Sequence, residues 1–216
     1  GSQHGTVIVT DNQTKGKGRR DNLWIMVAGK GLAFSLIIEK QYPYTCAGLI
    51  SLATGISVVE SLNKRGVEAK LKWPNDIFAG EKKLGGILCE TKIIKKKIEK
   101  IVIGVGINVN EKISEHPENI RGHVTTMLEI SNHAHQRELI AAEFINSIER
   151  LLYELSDKPE QIIDKWLNNC LHVNEKISFY ENTKIIEGVF CGLDINGFAK
   201  IEMNNKIKTY GSLSLI

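Results

Sequence analysis

The segment spanning residues 70–90, KLKWPNDIFAGEKKLGGILCE, sets a carboxylate, Asp76, and an amine, Lys83, on either side of a short extended run and follows them with Gly85 and Gly86. A lysine supplies a fixed positive charge, a carboxylate can orient or deprotonate an amine, and paired glycines bare the backbone so that a small anionic ligand can lie against it. The plainer reading is also open: Trp73 packs, Asp76 caps a turn and Lys83 is solvated. A second segment, DNQTKGKGRRDNLW at residues 11–24, brackets Lys17 between Gly16 and Gly18 and follows with Arg19 and Arg20. Such a loop can wrap a phosphate or carboxylate, but a flexible surface loop or a nucleic-acid contact would have the same composition. It is not a Walker A loop, and no helix start follows it. Asn108, after Gly104 and Gly106, is either a turn residue or an amide able to read the donor and acceptor pair of a base edge.

Rigid elements must hold these groups. Residues 67–72 read as a strand that stops at Trp73-Pro74, because proline lacks the ladder donor and restricts its predecessor. Asn75 and Asp76 are expected in a turn, residues 77–78 in a strand, 79–82 in a hairpin and 84–89 in a third extended run. Strands are also expected at 6–10, 32–38 and 98–110, with residues 1–5 as a loop ahead of them. The spacing predicts helices over 45–64, 136–155 and 159–169, and a polar loop over 111–126. From residue 171 the texture changes to short alternating strands at 176–180, 185–190, 198–203 and 207–210, with turns at Asn196-Gly197 and Asn204-Asn205. The expected fold class is α/β (α+β): a mixed sheet with packed helices in residues 1–170, then a small β-barrel in 171–216.

A chain of 216 residues, 42% hydrophobic and 25% charged, can bury one good core with a small module appended. No run of about twenty apolar residues, as a membrane span requires, and no signal peptide is read from it, so a cytoplasmic protein with no membrane partner is expected. The net charge of +3 is too small to announce a nucleic-acid partner. Part of it is local, in KIIKKKIEK at residues 92–100, read as a solvated hairpin tip or else a contact for phosphate or an acidic protein. Cys46, Cys89, Cys170 and Cys191 are scattered without metal-like spacing and are expected to be buried thiols in a reducing compartment. His133 and His135 lie in a polar stretch that supports neither a metal site nor a triad.

Taken in order, QTKGKGRR at residues 13–20 with Trp24, KWPND at 72–76, KLGGIL at 83–88 and GVGIN at 104–108 resemble the catalytic domain of biotin protein ligases, the biotin–[acetyl-CoA-carboxylase] ligases. The β tail is similar to that family's SH3-like barrel. The resemblance implies a class II synthetase-like fold, activation of biotin by Mg2+-bound ATP to biotinyl-AMP, and transfer to a lysine of a biotin carboxyl carrier protein. It implies Lys83, Arg19 and Asp76 as catalytic groups. Gln13, Gly16, Lys17, Gly18, Arg19, Lys83, Gly86, Ile87, Leu88 and Gly104 would contact biotin. Lys17, Gly18, Arg19, Trp24, Asn75, Asp76, Lys83 and Asn108 would contact ATP. No metal ligand is assigned, and a homodimer is among the assemblies it allows. The sequence departs from the pattern at Asp21 and Asn22, where the family has glycine and arginine, and at Ser212, where a glutamate is common. A strand and helix carrying a Ser-Thr-Asn contact has no counterpart before Thr6; either the chain is trimmed or one wall of the pocket is missing, with trimming or a disordered segment the expected reason. The helix-turn-helix of family members that double as repressors is likewise absent there, so no DNA partner is expected. A lipoate or octanoate transferase or ligase would share the architecture, and a basic nucleic-acid-binding module is the non-enzymatic alternative.

Overall fold

The computed structural model describes residues 3–155, 157–181 and 183–215, with the side chain of Asp21 also outside the description. The expected loop at residues 1–5 is therefore described only from Gln3, and the Asp21 side-chain departure lies outside the described residues.

Thirteen strands and four helices are named in chain order: β1 (Val7–Thr10), β2 (Gly16–Lys17), β3 (Leu23–Trp24), β4 (Leu32–Ile38), β5 (Tyr42–Pro43), α1 (Ala47–Asn63), β6 (Lys70–Lys72), β7 (Asp76–Ala79), β8 (Lys82–Ile94), β9 (Lys97–Ile107), α2 (Met127–Ser131), α3 (Arg137–Glu154), α4 (Pro159–Asn168), β10 (Lys176–Glu181), β11 (Lys184–Leu193), β12 (Ala199–Met203) and β13 (Lys206–Tyr210). The main sheet runs β1-β4-β9-β8-β7-β6, with β5 added against β9. Its ladders are antiparallel. The mixed sheet expected from the sequence is thus corrected: among the described residues, parallel pairing is confined to the isolated bridges Leu71 to Cys170 and Lys83 to Val124. Short turns join β6 to β7, β7 to β8 and β8 to β9, whereas α1 carries the chain from β4 and β5 across to β6 at the far edge, which runs in the same direction as β4.

Helix α1 is apolar nearly all round because it is covered on every side, lying between the sheet and helices α3 and α4. Residues Tyr44–Asn63 meet the length and hydropathy expected of a membrane span, which corrects the reading that no run comes close. That stretch is 72% buried inside the protein, so its apolarity serves the core. Helix α3 buries one stripe, Ile140, Phe144, Ile148, Leu151 and Leu152, and α4 begins with Pro159, whose fixed φ suits a first helical turn.

Asp76 opens β7 instead of sitting in the turn, and β8 reaches well past the expected run, to a tip at Lys95 and Lys96. Both tip residues have positive φ, as a tight two-residue hairpin requires. The C-terminal strands form a separate sheet, β10-β11-β12-β13, and Leu215 bridges back to Phe179 on its first strand. Phe179, Phe190 and Ile201 join the same buried cluster as Trp166 and Leu71 of the main body. Of the thiols only Cys46 is buried; the other three are half-buried.

Candidate functional site

Alternate residues of the strands opposite α1 make the floor of a cavity of about 480 Å3. One row across the sheet is Thr10, Ala33, Gly106, Gly86 and Asp76, read from the pairings β1–β4–β9–β8–β7. The next is Ile8, Ser35, Gly104 and Leu88, and beyond it Val102 faces Glu90. The two-stranded ribbon β2–β3 crosses this floor and lays Trp24 on it. A Cβ at Gly106 would stand 2.4 Å from the Trp24 ring, so glycine is what allows the indole to seat. Gly16 pairs with Trp24 and would clash with its carbonyl at 2.3 Å if substituted; it shapes the ribbon and does not line the cavity.

Of the residues expected in the site, Gln13, Lys17, Gly18, Arg19, Trp24, Asn75, Asp76, Lys83, Gly86, Ile87, Leu88 and Gly104 all line this one cavity. Lys83 and Asp76 are partners, Nζ to Oδ1 at 2.6 Å, both part-exposed to the cavity. Arg19 donates through Nη1 to Asn75 Oδ1 at 3.1 Å and through Nη2 to Ser212 Oγ at 2.6 Å. Asn75 is held in turn by its Nδ2 bond to the Ile87 carbonyl at 2.8 Å. Burial first and Arg20 second lower the pKa of the Arg19 guanidinium, with Asp76 opposing them. Arg20 donates to Ser214 Oγ and, at 3.5 Å, to Ser212 Oγ. The Ser212 departure therefore keeps a contact with the loop, made by a hydroxyl. Asn22 contributes backbone, its carbonyl accepting from Gly18 N at 2.7 Å.

Asn108 lies elsewhere. It is buried just past β9, its Nδ2 donating to the Thr125 carbonyl at 3.0 Å, and it lines a neighbouring cavity of about 430 Å3. Trp24, Lys72 and Lys83 border both cavities. The far wall of the second one is His116, Ile120, His123 and Val124, from the loop expected to be merely polar.

The main cavity is strongly cationic: Lys15, Lys17, Arg19, Arg20, Lys72 and Lys83 line it against the carboxylates Asp76 and Glu90 alone. With Asp76 paired to Lys83, an anion entering there meets uncompensated positive charge. Two polar atoms on its walls, Gln13 Oε1 and Trp24 Nε1, are buried without a partner among the described residues. One acceptor and one donor are therefore left to a ligand. No group of three or more potential metal-ligating side chains occurs among the described residues.

Sequence reasoning missed Ser35, Lys72, Glu90, the wall made by residues 213–215, and the buried Glu111 and His116. Ser35 left a signal, as the one polar residue in the apolar run LAFSLII. The tail wall left none, because it depends on how the small sheet docks.

A model of the biotin/lipoate A/B protein ligase family matches residues 1–108. The chain is 30% identical over 217 residues to the bifunctional ligase/repressor BirA of Escherichia coli, covering 98% of this chain and 66% of that protein. It is 26% identical to the BirA of Bacillus subtilis and spans 63% of that relative's length. Among solved structures, the biotin protein ligase from Aquifex aeolicus in complex with biotin and ATP superposes with a TM-score of 0.85 at 31% identity, covering 100% of this chain and 90% of that one. With a family model spanning half of the sequence and relatives and structure alike in agreement, the chain belongs to the biotin/lipoate A/B protein ligase family.

Proposed function

We propose that this protein is an ATP-dependent biotin protein ligase, with residues 1–170 as its catalytic unit and 171–216 as the module that closes it. The observation that carries the reading is the single cavity in which Lys83, Asp76 and Arg19 face a floor stripped by Gly86, Gly104 and Gly106. A flat slot ending in fixed cations fits a molecule with an apolar ring system at one end and a carboxylate at the other. From the Gly86 row to the Glu90 row is about 13 Å by strand rise, comparable with an extended valeryl chain plus a fused bicycle. The buried Gln13 Oε1 is an acceptor for a ureido N–H.

In the first step a biotin carboxylate oxygen forms a bond to the α-phosphorus of ATP as the bond to pyrophosphate breaks. Negative charge spreads over the phosphate oxygens, where Lys83 and Arg19 stabilise it. In the second step a lysine amine of a carrier protein attacks the acyl carbon, the bond to AMP breaks, and Asp76 is the carboxylate placed to take the amine's proton. On this reading the nucleotide base goes to the cavity beside Trp24 and Asn108, where the Asn108 amide is fixed by its Nδ2 bond to the Thr125 carbonyl. Mg2+ would enter with the triphosphate, and Asp76 is a cavity carboxylate that would help to hold it, since magnesium binds through one or two carboxylates plus substrate phosphates.

The test is pyrophosphate release on adding biotin to protein and Mg-ATP, with lipoate and octanoate in parallel. Release that depends on biotin, followed by label on a carrier-domain lysine, is expected. Release with lipoate and not biotin would move the protein to the other branch of the family.

A further inference from the structure

Trp73 has no part in the reaction above, although it stands two residues before Asn75 and three before Asp76. It is 2% exposed, and its indole Nε1–H donates across the molecule to the Gly197 carbonyl at 3.3 Å, in the turn between β11 and β12 of the small sheet. That turn is made rigid by its own bonds. Asp194 Oδ1 accepts from Asn196 N at 2.9 Å and from Phe198 N at 2.8 Å, and Gly197 N donates to the Asp194 carbonyl at 2.9 Å. The turn is also keyed to the start of α1. A Cβ on Gly48 would stand 2.3 Å from the Asn196 carbonyl oxygen, and one on Gly197, whose φ is +81°, would stand 3.0 Å from Leu52 and 3.3 Å from Gly48. Neither position has room for a side chain, so the backbones meet directly and the turn has a single seat.

From that seat the contacts return to where they began. Ala199 pairs with Tyr210, so the turn at Gly197 and the tail at Ser212 leave the small sheet at the same end, with the Phe198 ring against Gly211 between them. Ser212 Oγ accepts from Arg19 Nη2 at 2.6 Å, and Arg19 Nη1 donates to Asn75 Oδ1 at 3.1 Å. The ring of contacts is thus closed through Asn75 and Trp73. On the other side of Arg19 lies an open space of about 540 Å3, bordered by Trp73, Gly197, Phe198 and Gly211. The guanidinium has room to swing out of the main cavity, and the ring is what holds it in.

Resting on the ligase reading given above, we propose that Trp73 is a positioning residue: by seating the turn of the small sheet it places Ser212, Ser212 holds Arg19 over the main cavity, and the mixed anhydride is thereby retained until the carrier lysine arrives. Trp73 acts through Arg19. The segment that supplies Asn75 and Asp76 to the site therefore also fixes the module that closes it.

The experiment measures escape of biotinyl-AMP from protein loaded with biotin and Mg-ATP, in wild type, Trp73→Phe, Arg19→Gly and the double variant. Trp73→Phe keeps an aromatic ring and loses the donor. It should release the intermediate about fivefold faster, the loss of one neutral hydrogen bond. In the Arg19→Gly background it should add nothing, because both residues act through one latch. Gly48→Ala, which unseats the same turn by steric exclusion, should speed escape in the same way. A purely structural Trp73 would lower the melting temperature and leave escape unmoved, or would add its effect to that of Arg19→Gly, and either result overturns the proposal. Should Trp73→Phe and Gly48→Ala fail to fold, Arg19→Gly decides without them. With the ring opened at Arg19, the Trp73 indole proton, one of three in the chain, must exchange with solvent faster than in wild type, and equal exchange refutes the coupling. That readout needs no substrate, so its failure in active protein overturns this inference alone. Wild type with no biotin-dependent pyrophosphate release overturns the ligase reading and the retention role with it.

Discussion

Lys83 is half-buried at the second position of β8, where the strand fixes its backbone and the ion pair with Asp76 fixes its ammonium. A charge held this way needs little reorganisation when negative charge grows on a phosphate oxygen. Removing one such contact costs roughly 2 to 4 kcal/mol of transition-state stabilisation, so Lys83→Ala should slow adenylation about a hundredfold or more. Turnover near wild type in a pyrophosphate assay would return Lys83 to the status of a surface lysine. Asp76→Asn keeps the shape and removes the proposed base. It should depress transfer to the carrier lysine more than adenylation, which single-turnover measurement of each half-reaction separates.

At the scale of elements, the β2–β3 ribbon is a two-residue ladder whose arginines reach out to other parts of the chain. Arg19 and Arg20 are held by the hydroxyls of Ser212 and Ser214, at the end of the small sheet, and by Asn75. Neutral hydroxyls bind a guanidinium less firmly than a carboxylate does, so we expect this latch to open readily and to tighten when an anion enters the cavity. Hydrogen exchange over residues 14–22 should fall sharply on adding biotin with ATP; unchanged exchange in protein shown to bind would rule out a lid. Arg19→Gly removes a charge-assisted bond of roughly 1.5 to 3 kcal/mol and loosens the loop. We expect adenylation to persist while the mixed anhydride escapes at least about tenfold faster, scored as indiscriminate labelling of lysines. Retention equal to wild type would assign closure to another residue.

At the scale of the molecule, the small sheet meets the main body around His172. Its ring packs 4.5 Å from Phe190 and 6.5 Å from Trp166, and burial first, Lys72 second, push it down to about 4 from an ordinary 6.5. The folded state resists protonating this histidine, whereas the unfolded chain accepts the proton below 6.5. Stability from His172 is complete above that pH and is lost as pH falls toward 4, about 3 kcal/mol in all. Urea midpoints should therefore drop between pH 7 and pH 4.5, and His172→Phe should flatten the slope. An unchanged slope in that variant would place the acid sensitivity elsewhere.

What the sequence determined by itself was the order of elements and most of the lining of the candidate site. Proline, glycine and β-branched runs are local signals, and Trp73-Pro74, the Gly85-Gly86 pair and the alternating tail were read from them with small errors at the ends. Motif residues from four separate segments converge on one cavity because strand pairing brings β1, β4, β9, β8 and β7 side by side with their alternate residues on one face. The tertiary structure decided what no local pattern encodes. Gly16 serves the ribbon and Asn108 a second cavity, since a glycine or asparagine reads the same whether it faces a ligand or a neighbouring strand. The antiparallel sheet, the reach of Arg19 to Ser212 and the enclosure of Glu111 with His116 rest on contacts between residues far apart in the chain or folded over by a loop. Such contacts are fixed by packing, and composition carries no trace of them.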